Sequence, residues 1–432
     1  MKVLWLCNIM LPAYARAHNL AFSPREGWLT GCLERIVNNS DAKEKIELGI
    51  CFPAEGEIAS SSEVIDNVKY YGFSEDLEHP EKYDESIEKR FRIILDDFKP
   101  DLVHIFGTEF PHTLAMIRTF GKTERILLGI QGLCSCIADE YMANIPESVQ
   151  KKVTFRDWLK GDSIVLQQEK YRIRGEREKE AIRLCGNIAG RTKFDKDETG
   201  KINPCAKYFE LNETMRPMFY DGKWDETKVI PHSVFLSQGD YPLKGFHFVL
   251  QAMPEILKKY PDAQLFVAGN NIIGKGGSKY PYFLRASAYS KYIRALIAKN
   301  KLKKNVTMIG MLSESEMKER FLKSSVFVCP SIVENSPNSV GEAMLLGVPV
   351  VAARCGGIPS ILQDNKDGLL FEKANPQKLA EAIIQIWDEP VISAVFGENS
   401  RKHARITHDP DRNFNRLMEI YEQIYVTSGS GK

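Results

Sequence analysis

The stretch VFVCPSIVENSPNSVGEAMLLGVPVVAARCGGIPSIL, residues Val326–Leu362, decides how this 432-residue chain folds. Its opening apolar run ends near Cys329 and predicts a buried strand, and Val348–Ala352 predicts another. The residues between them have helical spacing up to Leu346. A strand, a helix and a strand in this order predict a right-handed βαβ unit in a parallel sheet.

The ends of this predicted helix carry their own signals. Ser331–Asn335 predicts a loop, Ser336 can cap the helix, and Pro337 suits its first position. Gly347 fits the left-handed position at the end of the helix.

The same alternation runs outward from this stretch in both directions. In the C-terminal half, the other candidate strands are Ser233–Leu236, Gln264–Ala268 and Val306–Ile309, and the candidate helices are Gly245–Lys259, Tyr280–Asn300, Ser313–Lys323 and one capped by Asn375 that runs to Trp387. In the N-terminal half, the candidate strands are Lys2–Leu6, Ile46–Phe52, Asp101–Phe106 and Arg125–Ile130, and the candidate helices are Trp28–Val37 and Pro80–Asp97. Strands separated by helices predict an α/β protein with two doubly wound, Rossmann-like domains.

The domain boundary is predicted in the polar, aromatic-rich stretch Leu211–Pro231, which has no clear period. We therefore expect an N-terminal domain over residues 1–227 and a C-terminal domain over residues 228–410. The amphipathic stretch 411–427 predicts a last helix, and the Ser/Gly-rich residues 428–432 predict a disordered tail.

The composition is that of a globular protein and excludes several functional classes. The chain has 58 Lys and Arg against 57 Asp and Glu, a net charge of +1, so a dedicated nucleic-acid-binding protein is not expected. Nine scattered cysteines without a CxxC motif predict reduced thiols in the cytoplasm rather than a disulfide framework or a zinc ribbon. No apolar run reaches the ~20 residues of a membrane span.

Four residues suit the binding of a phosphorylated sugar. Glu334 and Glu342, spaced E-x7-E, lie just before the predicted helix and inside it. The helix N-terminus is a site for phosphate, and an acid beside it can accept hydrogen bonds from sugar or ribose hydroxyls. Lys244 lies at a strand–loop–helix junction that would present it to a diphosphate, and Gly27 at a helix start allows a ligand close to the backbone. Each feature alone also fits a structural role, as a capped surface helix, a solvated lysine or a turn glycine.

In combination, these segments resemble the GT-B glycosyltransferases, and within them the retaining family 4 of the group 1 enzymes. The E-x7-E motif in its setting S-x-x-E-N-S-P-N-S-x-G-E-A-M, the Gly-Val-Pro-Val-Val strand, the Gly-Gly turn and Lys244-Gly245 carry the resemblance. It covers most of the C-terminal domain and is weaker in the N-terminal one, where Asp101–His112 resembles the acceptor-side strand and loop. The resemblance implies two facing domains and a last helix that crosses back to the first.

The resemblance also implies roles for particular residues. Glu342 would hold the ribose hydroxyls of the donor, Glu334 would contact the transferred sugar, and Lys244 would neutralise the leaving diphosphate. The other implied donor-binding residues are Gly27 under the diphosphate, Gly310 and Met311 at the base, and Asn335, Ser336, Asn338, Ser339 and Gln238 around the sugar and phosphates. On the acceptor side the implied residues are Glu109, His112, Gln131 and Arg191.

The sequence departs from the family pattern at three places. Gln238 stands where an Arg is common before the Lys, so Arg191 or Arg216 is a candidate for that cation. Gln131 stands where the family often has a His, which disfavours a His general base there. Ser360 stands where many members have an acid after the Gly-Gly turn.

The reaction expected from the resemblance moves a hexose from a UDP- or GDP-sugar to a hydroxyl of a glycan or lipid-linked oligosaccharide, in cell-surface polysaccharide biosynthesis. A lysine and a helix N-terminus can replace a metal at the diphosphate, so no metal or other cofactor is expected. The D-x-D strings Asp195–Asp197 and Asp409–Asp411 lie away from strand ends, and we expect them at the surface. No second nucleophilic carboxylate is evident, which favours front-face attack with retention over a double displacement.

The segment Gln150–Arg183 is basic, with ten Lys and Arg against six Asp and Glu. One interpretation is a solvated helical pair. The other is contact with an anionic membrane or a lipid-linked acceptor, which would make the protein peripheral at the inner face of the plasma membrane.

Two other functions stay open at the level of the sequence. A non-catalytic nucleotide-sugar-binding or assembly protein of the same fold would keep the donor motifs. A P-loop NTPase is suggested by Gly269–Gly276, which fits G-x-x-x-x-G-K, although Gly276 stands where a P-loop has Ser or Thr.

Overall fold

The chain forms two compact units in a computed structural model that describes residues 1–20, 27–39, 44–274 and 282–429. Unit 1 comprises Met1–Cys136, Lys170–Arg216 and His408–Lys432, and unit 2 comprises Ile137–Glu169 and Pro217–Thr407. The structure therefore differs from the predicted boundary, since residues 137–169 belong to unit 2. Their contacts explain this, because the ring Nε2 of His247 donates a hydrogen bond of 2.9 Å to the carbonyl of Ala143.

The helices are numbered here along the described part of the chain. They are α1 Pro12–Ala17, α2 Gly27–Asn38, α3 Ser86–Phe98, α4 Pro111–Phe120, α5 Cys134–Glu140, α6 Glu147–Gln150, α7 Phe155–Lys160, α8 Ile164–Leu184, α9 Lys193–Ile202, α10 Phe246–Lys259, α11 Tyr282–Arg285, α12 Ala288–Lys299, α13 Glu314–Leu322, α14 Asn338–Leu346, α15 Ile358–Ile361, α16 Pro376–Asp388, α17 Pro390–Thr407 and α18 Pro410–Gly429.

Unit 1 is built on an eight-stranded sheet with the order β3-β4-β2-β1-β5-β6-β7-β8. The strands are β1 Lys2–Leu6, β2 Glu47–Pro53, β3 Ser62–Ile65, β4 Val68–Phe73, β5 Leu102–Phe106, β6 Ile126–Gly129, β7 Asn187–Gly190 and β8 Lys207–Glu210. Only the short edge strand β3 runs antiparallel within this sheet. The order reverses between β1 and β5, so the loops after these two strands meet at the topological switch point.

Helix α18 completes the core of unit 1, as expected for a last helix that returns to the first domain. Its Tyr421 is fully buried, and the hydroxyl of Tyr421 accepts a 2.8 Å hydrogen bond from the indole of Trp5 on β1. The helix includes residues 428–429, which were expected in a disordered tail, and residues 430–432 lie outside the described part.

Unit 2 is built on a six-stranded, all-parallel sheet with the order β11-β10-β9-β12-β13-β14. The strands are β9 Ile230–Leu236, β10 Gln264–Ala268, β11 Val306–Gly310, β12 Ser324–Cys329, β13 Val350–Arg354 and β14 Leu369–Glu372. Here the order reverses between β9 and β12. Two Rossmann-like α/β units were predicted, and the structure confirms this fold class.

The decisive βαβ unit forms as predicted, but one end of its helix differs. Helix α14 begins at Asn338, and Pro337 is the cap residue itself, in an extended conformation without a side-chain cap. The prediction that Ser336 caps this helix and that Pro337 is its first residue was therefore wrong. Gly347 ends the helix with a φ of 77°, which confirms the left-handed position.

Other differences lie at element boundaries. Helix α3 begins at Ser86 rather than at Pro80. The predicted helix Tyr280–Asn300 is two helices, because the hydroxyl of Ser287 accepts from the amide of Ser290 and starts α12 anew; residues 280–281 lie outside the described part. Elements that the sequence analysis did not predict include the strands β3, β4, β7, β8 and β14 and the helices α1, α4, α5, α6, α9 and α17.

Candidate active site

The carboxyl ends of β9 and β12 bring a lysine and a glutamate together in unit 2. The ammonium Nζ of Lys244 lies 2.5 Å from Oε1 of Glu334, and the hydroxyl of Ser331 donates a 2.8 Å hydrogen bond to the same oxygen. Burial by itself would lower the pKa of Lys244, but the charge of Glu334, its hydrogen bond with Lys244 and the nearby Tyr241 together raise that pKa above its ordinary value. The pair is thus a cation and an anion held at the switch point of the sheet, where doubly wound folds bind ligands.

Two glycines allow neighbouring backbone segments to approach each other closely around this pair. Gly245 follows Lys244 with a φ of 71°, and a side chain there would collide with the carbonyl of Pro330. Gly356 has a φ of 47°, and a side chain there would collide with the carbonyl of Glu334. The amide of Gly357 donates to that same carbonyl at 2.9 Å. The Gly-Gly turn therefore fixes the backbone of the catalytic candidate Glu334.

Two cysteine side chains and Ser331 line the loop below Glu334, and the sequence analysis did not single them out. The thiol of Cys355 donates to the carbonyl of Ser331 at 3.2 Å, and Cys329 lies 3.8 Å from the Ser331 hydroxyl. Burial, and then the charge of Glu334, raise the pKa of Cys329 to about 12, so this thiol stays protonated. Ser331 lies only three residues before Glu334, and this short separation is the one sequence signal that could have identified it.

The second acid of the E-x7-E motif is buried on α14. Glu342 is the fifth residue of this helix, and only 4% of its surface is exposed. Asn335, also buried, ends the loop before the helix, whose first two residues are Asn338 and Ser339. The expected donor-binding residues Asn335, Ser336, Asn338, Ser339 and Glu342 therefore lie on one loop–helix junction of unit 2.

The remaining expected donor residues lie on other elements. Gly310 ends β11 with a φ of 80°, and the side chain of Met311 after it is exposed. Gln238 lies in the loop after β9. Gly27 is the first residue of α2 in unit 1. Within the described ranges, none of these four residues forms a hydrogen bond with Lys244 or Glu334.

In unit 1, His112 belongs to a buried polar cluster at the switch point of the sheet. Its Nδ1 lies 2.5 Å from a carboxylate oxygen of Glu75, and its Nε2 lies 2.8 Å from the side-chain oxygen of Asn8. Asn8 follows β1 and Glu75 follows β4, so three strand ends meet here. The sequence analysis found His112 but neither partner, because nothing in the linear sequence links positions so far apart.

Glu109 lies beside this cluster, in the turn after β5. Its Oε2 is buried and has no hydrogen-bond partner among the described residues. Burial raises the pKa of Glu109 above its ordinary value. The Glu109 carbonyl accepts a 3.0 Å hydrogen bond from Arg174 of α8.

Gln131 and Arg191 form a second polar cluster of unit 1, together with Glu213. Arg191 forms a buried ion pair with Glu213 and donates to the Gln131 side chain at 3.2 Å, and Gln131 donates to Glu213 at 2.9 Å. They line a cavity of about 60 Å³ that also contacts the start of α18. Burial raises the pKa of Glu213, while the charge of Arg191 opposes that shift. The charge of Arg191 is thus balanced by a carboxylate of the same unit.

Both D-x-D strings were expected at the surface, but the first residue of one of them is buried. Asp195 is fully buried on α9, where its side chain and that of Thr192 form a capping box at the start of the helix. Asp409 accepts from the amide of Arg412 at 2.8 Å, and Asp411 pairs with Arg35. Within the described ranges, no cluster of three or more His, Cys, Asp or Glu side chains could hold a metal ion.

The loop that matched the P-loop pattern uses its amides internally. The amide of Asn270 donates to Asp240 at 2.9 Å, and the amide of Gly274 donates to the Asn271 side chain at 2.7 Å. A phosphate cradle needs such amides free for the ligand. Lys275 and Gly276, which complete the pattern, lie outside the described residues.

Known proteins similar to this chain point to one family. Residues 231–403 match the family model described as glycosyl transferases group 1. Spore coat protein SA of Bacillus subtilis is 27% identical over 183 residues, which are 42% of this chain and 46% of that protein. The GDP-mannose-dependent monoacylated alpha-(1-6)-phosphatidylinositol monomannoside mannosyltransferase of Corynebacterium glutamicum is 28% identical over 169 residues, which are 38% of this chain and 39% of that protein. The chain thus spans less than half the length of these curated relatives.

Solved structures agree with the chain over nearly its whole length. Sucrose-phosphate synthase from Thermosynechococcus elongatus aligns with a TM-score of 0.71 at 14% identity and covers 99% of this chain and 100% of its own. Anabaena HepE in complex with UDP-glucose aligns with a TM-score of 0.66 at 14% identity and covers 98% of this chain and 100% of its own.

The fold is therefore that of the GT-B glycosyltransferases. Within that class, the chain resembles the group 1 glycosyltransferases, and the residues that match this family model, 231–403, lie in unit 2. Membership of family 4 stays a prediction. None of the helices in the described ranges is long and apolar enough to cross a membrane.

Proposed function

We propose that the protein is a glycosyltransferase that transfers a hexose from a nucleotide-diphosphate sugar to a hydroxyl group of a glycan or lipid-linked acceptor. The observation that carries this proposal is the Lys244–Glu334 pair at the switch point of unit 2, next to the junction that contains Glu342. HepE binds UDP-glucose and the Corynebacterium relative uses GDP-mannose, so UDP- and GDP-sugars are the donors to test first. The expected setting is polysaccharide biosynthesis.

The chemistry follows from the charges at this pair. When the bond between the sugar C1 and the diphosphate oxygen breaks, negative charge grows on the diphosphate and positive charge grows on the ring. Lys244 and the N-terminus of α14 would stabilise the diphosphate, and one such preorganised contact is worth about 2.7–4 kcal/mol in comparable sites. Glu334 and Glu342 would accept hydrogen bonds from sugar and ribose hydroxyls.

The acceptor oxygen would form its bond to C1 on the face that the diphosphate leaves. Its proton would pass to the departing phosphate oxygen, so that the products are the glycoside and the free nucleoside diphosphate. This front-face route retains the anomeric configuration and needs no protein nucleophile. We propose it without a metal, since Lys244 supplies the cation at the leaving group.

The proposal is tested by thermal unfolding with UDP, GDP, dTDP, CMP and ATP, each with and without EDTA. A ligand at about 100 times its dissociation constant adds about 2.7 kcal/mol to the free energy of unfolding. We expect one sugar-carrier nucleotide to raise the melting temperature by the same amount with and without EDTA. The substitution Glu342→Ala should abolish that rise. The exposed Glu255→Ala in the same unit is the matched control. A rise with ATP alone, dependent on magnesium, would contradict the proposal.

Transfer itself is tested with the matching nucleotide sugar. Lys244→Ala should lower the rate of nucleoside diphosphate release by about 10²–10³-fold. The exposed Lys301→Ala should leave it unchanged. NMR of the glycoside should show the anomer of the donor, and an inverted anomer would exclude front-face transfer.

A non-catalytic nucleotide-sugar-binding protein is the second candidate function. It is favoured by Gln238, which stands where the resemblance implies a second cation near Lys244, and by the pairing of the substitute candidate Arg191 with Glu213. Nucleotide binding without hydrolysis or transfer of any donor would select this alternative.

A further inference from the structure

Helix α7, Phe155–Lys160, is a short helix whose conformation is fixed at both ends. The hydroxyl of Thr154 accepts from the amide of Asp157, and the carboxylate of Asp157 accepts from the amide of Thr154, both at 3.1 Å. Gly161 closes the other end in the left-handed conformation. A capping box and a glycine C-cap together stabilise a helix that is too short to form alone.

One side of α7 is fastened to the rest of unit 2. Asp157 is buried, and its Oδ2 also accepts a 2.9 Å hydrogen bond from the amide of Ala288, the first residue of α12. Arg156 pairs with Asp162 at 2.6 Å. The helix therefore cannot turn its apolar side inward without breaking these contacts.

The other side of α7 presents large apolar side chains to solvent. Phe155, Trp158 and Leu159 are 56%, 69% and 65% exposed, and the spacing i, i+3, i+4 places them on one face of the helix. The rings of Phe155 and Trp158 are 5.9 Å apart. Val153, just before the helix, is also mostly exposed. Such a cluster on a rigid support is typical of an interaction surface, unlike a single exposed leucine.

Lysines flank this apolar face. Residues 151–160 contain three lysines, one arginine and one aspartate, a net charge of +3 in a chain of net charge +1. Lys151 pairs with Glu147, while Lys152 and Lys160 have no ion pair within the ranges that the structure describes. The charge on these two lysines is therefore available to an anionic partner.

We propose that the Val153–Lys160 face docks on an anionic lipid bilayer. Trp, Phe and Leu side chains next to lysines suit the boundary between headgroups and acyl chains, where the rings insert and the ammonium groups meet lipid phosphates. Protein–protein interfaces, in contrast, are depleted in lysine. The docking face lies in unit 2, and its inference does not depend on catalysis by the Lys244–Glu334 pair.

The test is flotation of the full-length protein with vesicles. We expect binding to vesicles of phosphatidylcholine with about 30 mol% phosphatidylglycerol, and little binding to vesicles of phosphatidylcholine alone. Each of Lys152→Glu and Lys160→Glu should weaken binding roughly fivefold or more. The double variant Lys303→Glu/Lys304→Glu, on an exposed surface elsewhere in unit 2, should bind like the parent protein.

The apolar half of the docking face is tested separately. Trp158→Ser should abolish flotation, Trp158→Phe should retain most of it, and Val391→Ser, at another exposed apolar residue of unit 2, should have no effect. Nucleotide-induced thermal shifts should be the same in all these variants, which separates this test from that of the proposed function. Equal binding to neutral vesicles, no binding to any vesicle, or a change of molecular mass with Trp158→Ser in light scattering would overturn the proposal, the last by indicating self-association.

Discussion

At the scale of single residues, the backbone of Glu334 depends on the glycine that follows β13. Gly356→Ala would place a methyl group against the Glu334 carbonyl at a φ of 47°. We expect this change to lower the free energy of unfolding by about 1–3 kcal/mol and to weaken nucleotide binding. Denaturant titration and thermal shifts measure the two effects. Gly200→Ala on helix α9, where a methyl group would meet nothing within 4 Å, should be neutral or slightly stabilising, and an equal loss in both variants would refute this role of Gly356.

At the scale of elements, the segment 137–169 is attached to α10 through a neutral histidine. Burial lowers the pKa of His247 to about 4, with its hydrogen bond to Ala143 opposing the shift. Because the unfolded chain binds this proton near pH 6.5 and the folded chain does not, stability falls as the pH drops from about 6.5 towards 4. The loss from this one group should reach about 2 kcal/mol at pH 5.

His247→Gln removes the titrating group and tests this expectation. Urea titrations at pH 7 and pH 5 should show a drop in stability that is about 2 kcal/mol smaller in the variant than in the parent protein. His79→Gln, at a half-exposed histidine of unit 1, is the control. The same pH-dependent drop in His247→Gln and the parent would exclude His247 as its source.

The elements also show what the sequence could and could not predict. Strand β10 and the loop Ser331–Asn335 were found because apolar runs and loop signals are local. The hairpin of β3 and β4 was missed, although Asp66 and Asn67 both adopt positive φ and form the two-residue turn that such a dipeptide favours. The cap of α14 was misplaced by one residue, because a proline suits both the cap and the first turn.

At the scale of the whole molecule, the two-domain fold was predictable because it follows from repeated local patterns of strands and helices. The long-range partners of the candidate site residues were not. Glu75 and Asn8 reach His112 only because three strand ends meet at one edge of the sheet. Likewise, residues 137–169 join unit 2 through long-range contacts such as that of Asp157 with Ala288, which neither the composition nor the hydrophobic period of the sequence reveals.

The return of α18 to unit 1 gives a prediction about the whole chain. The hydroxyl of Tyr421 accepts from Trp5 at 2.8 Å and lies 2.7 Å from Nδ1 of His104, whose pKa burial lowers to about 3, so this ring is neutral and accepts. Tyr421→Phe would leave the buried indole N–H and imidazole nitrogen unsatisfied, at a cost of about 1–3 kcal/mol for each group. Calorimetry should show a clear fall in melting temperature.

Glu422→Gln, at the exposed residue after Tyr421 in the same helix, whose 3.7 Å pair with Lys45 is exposed, should leave the melting temperature nearly unchanged. Because the expected donor residues Glu334, Glu342 and Lys244 lie in unit 2, the dissociation constant for the nucleotide should be the same in Tyr421→Phe and the parent protein below the melting temperature. A weaker nucleotide affinity of Tyr421→Phe below its melting temperature would contradict this expectation and would indicate that unit 1, which contains Gly27, contributes more to donor binding than these three residues of unit 2.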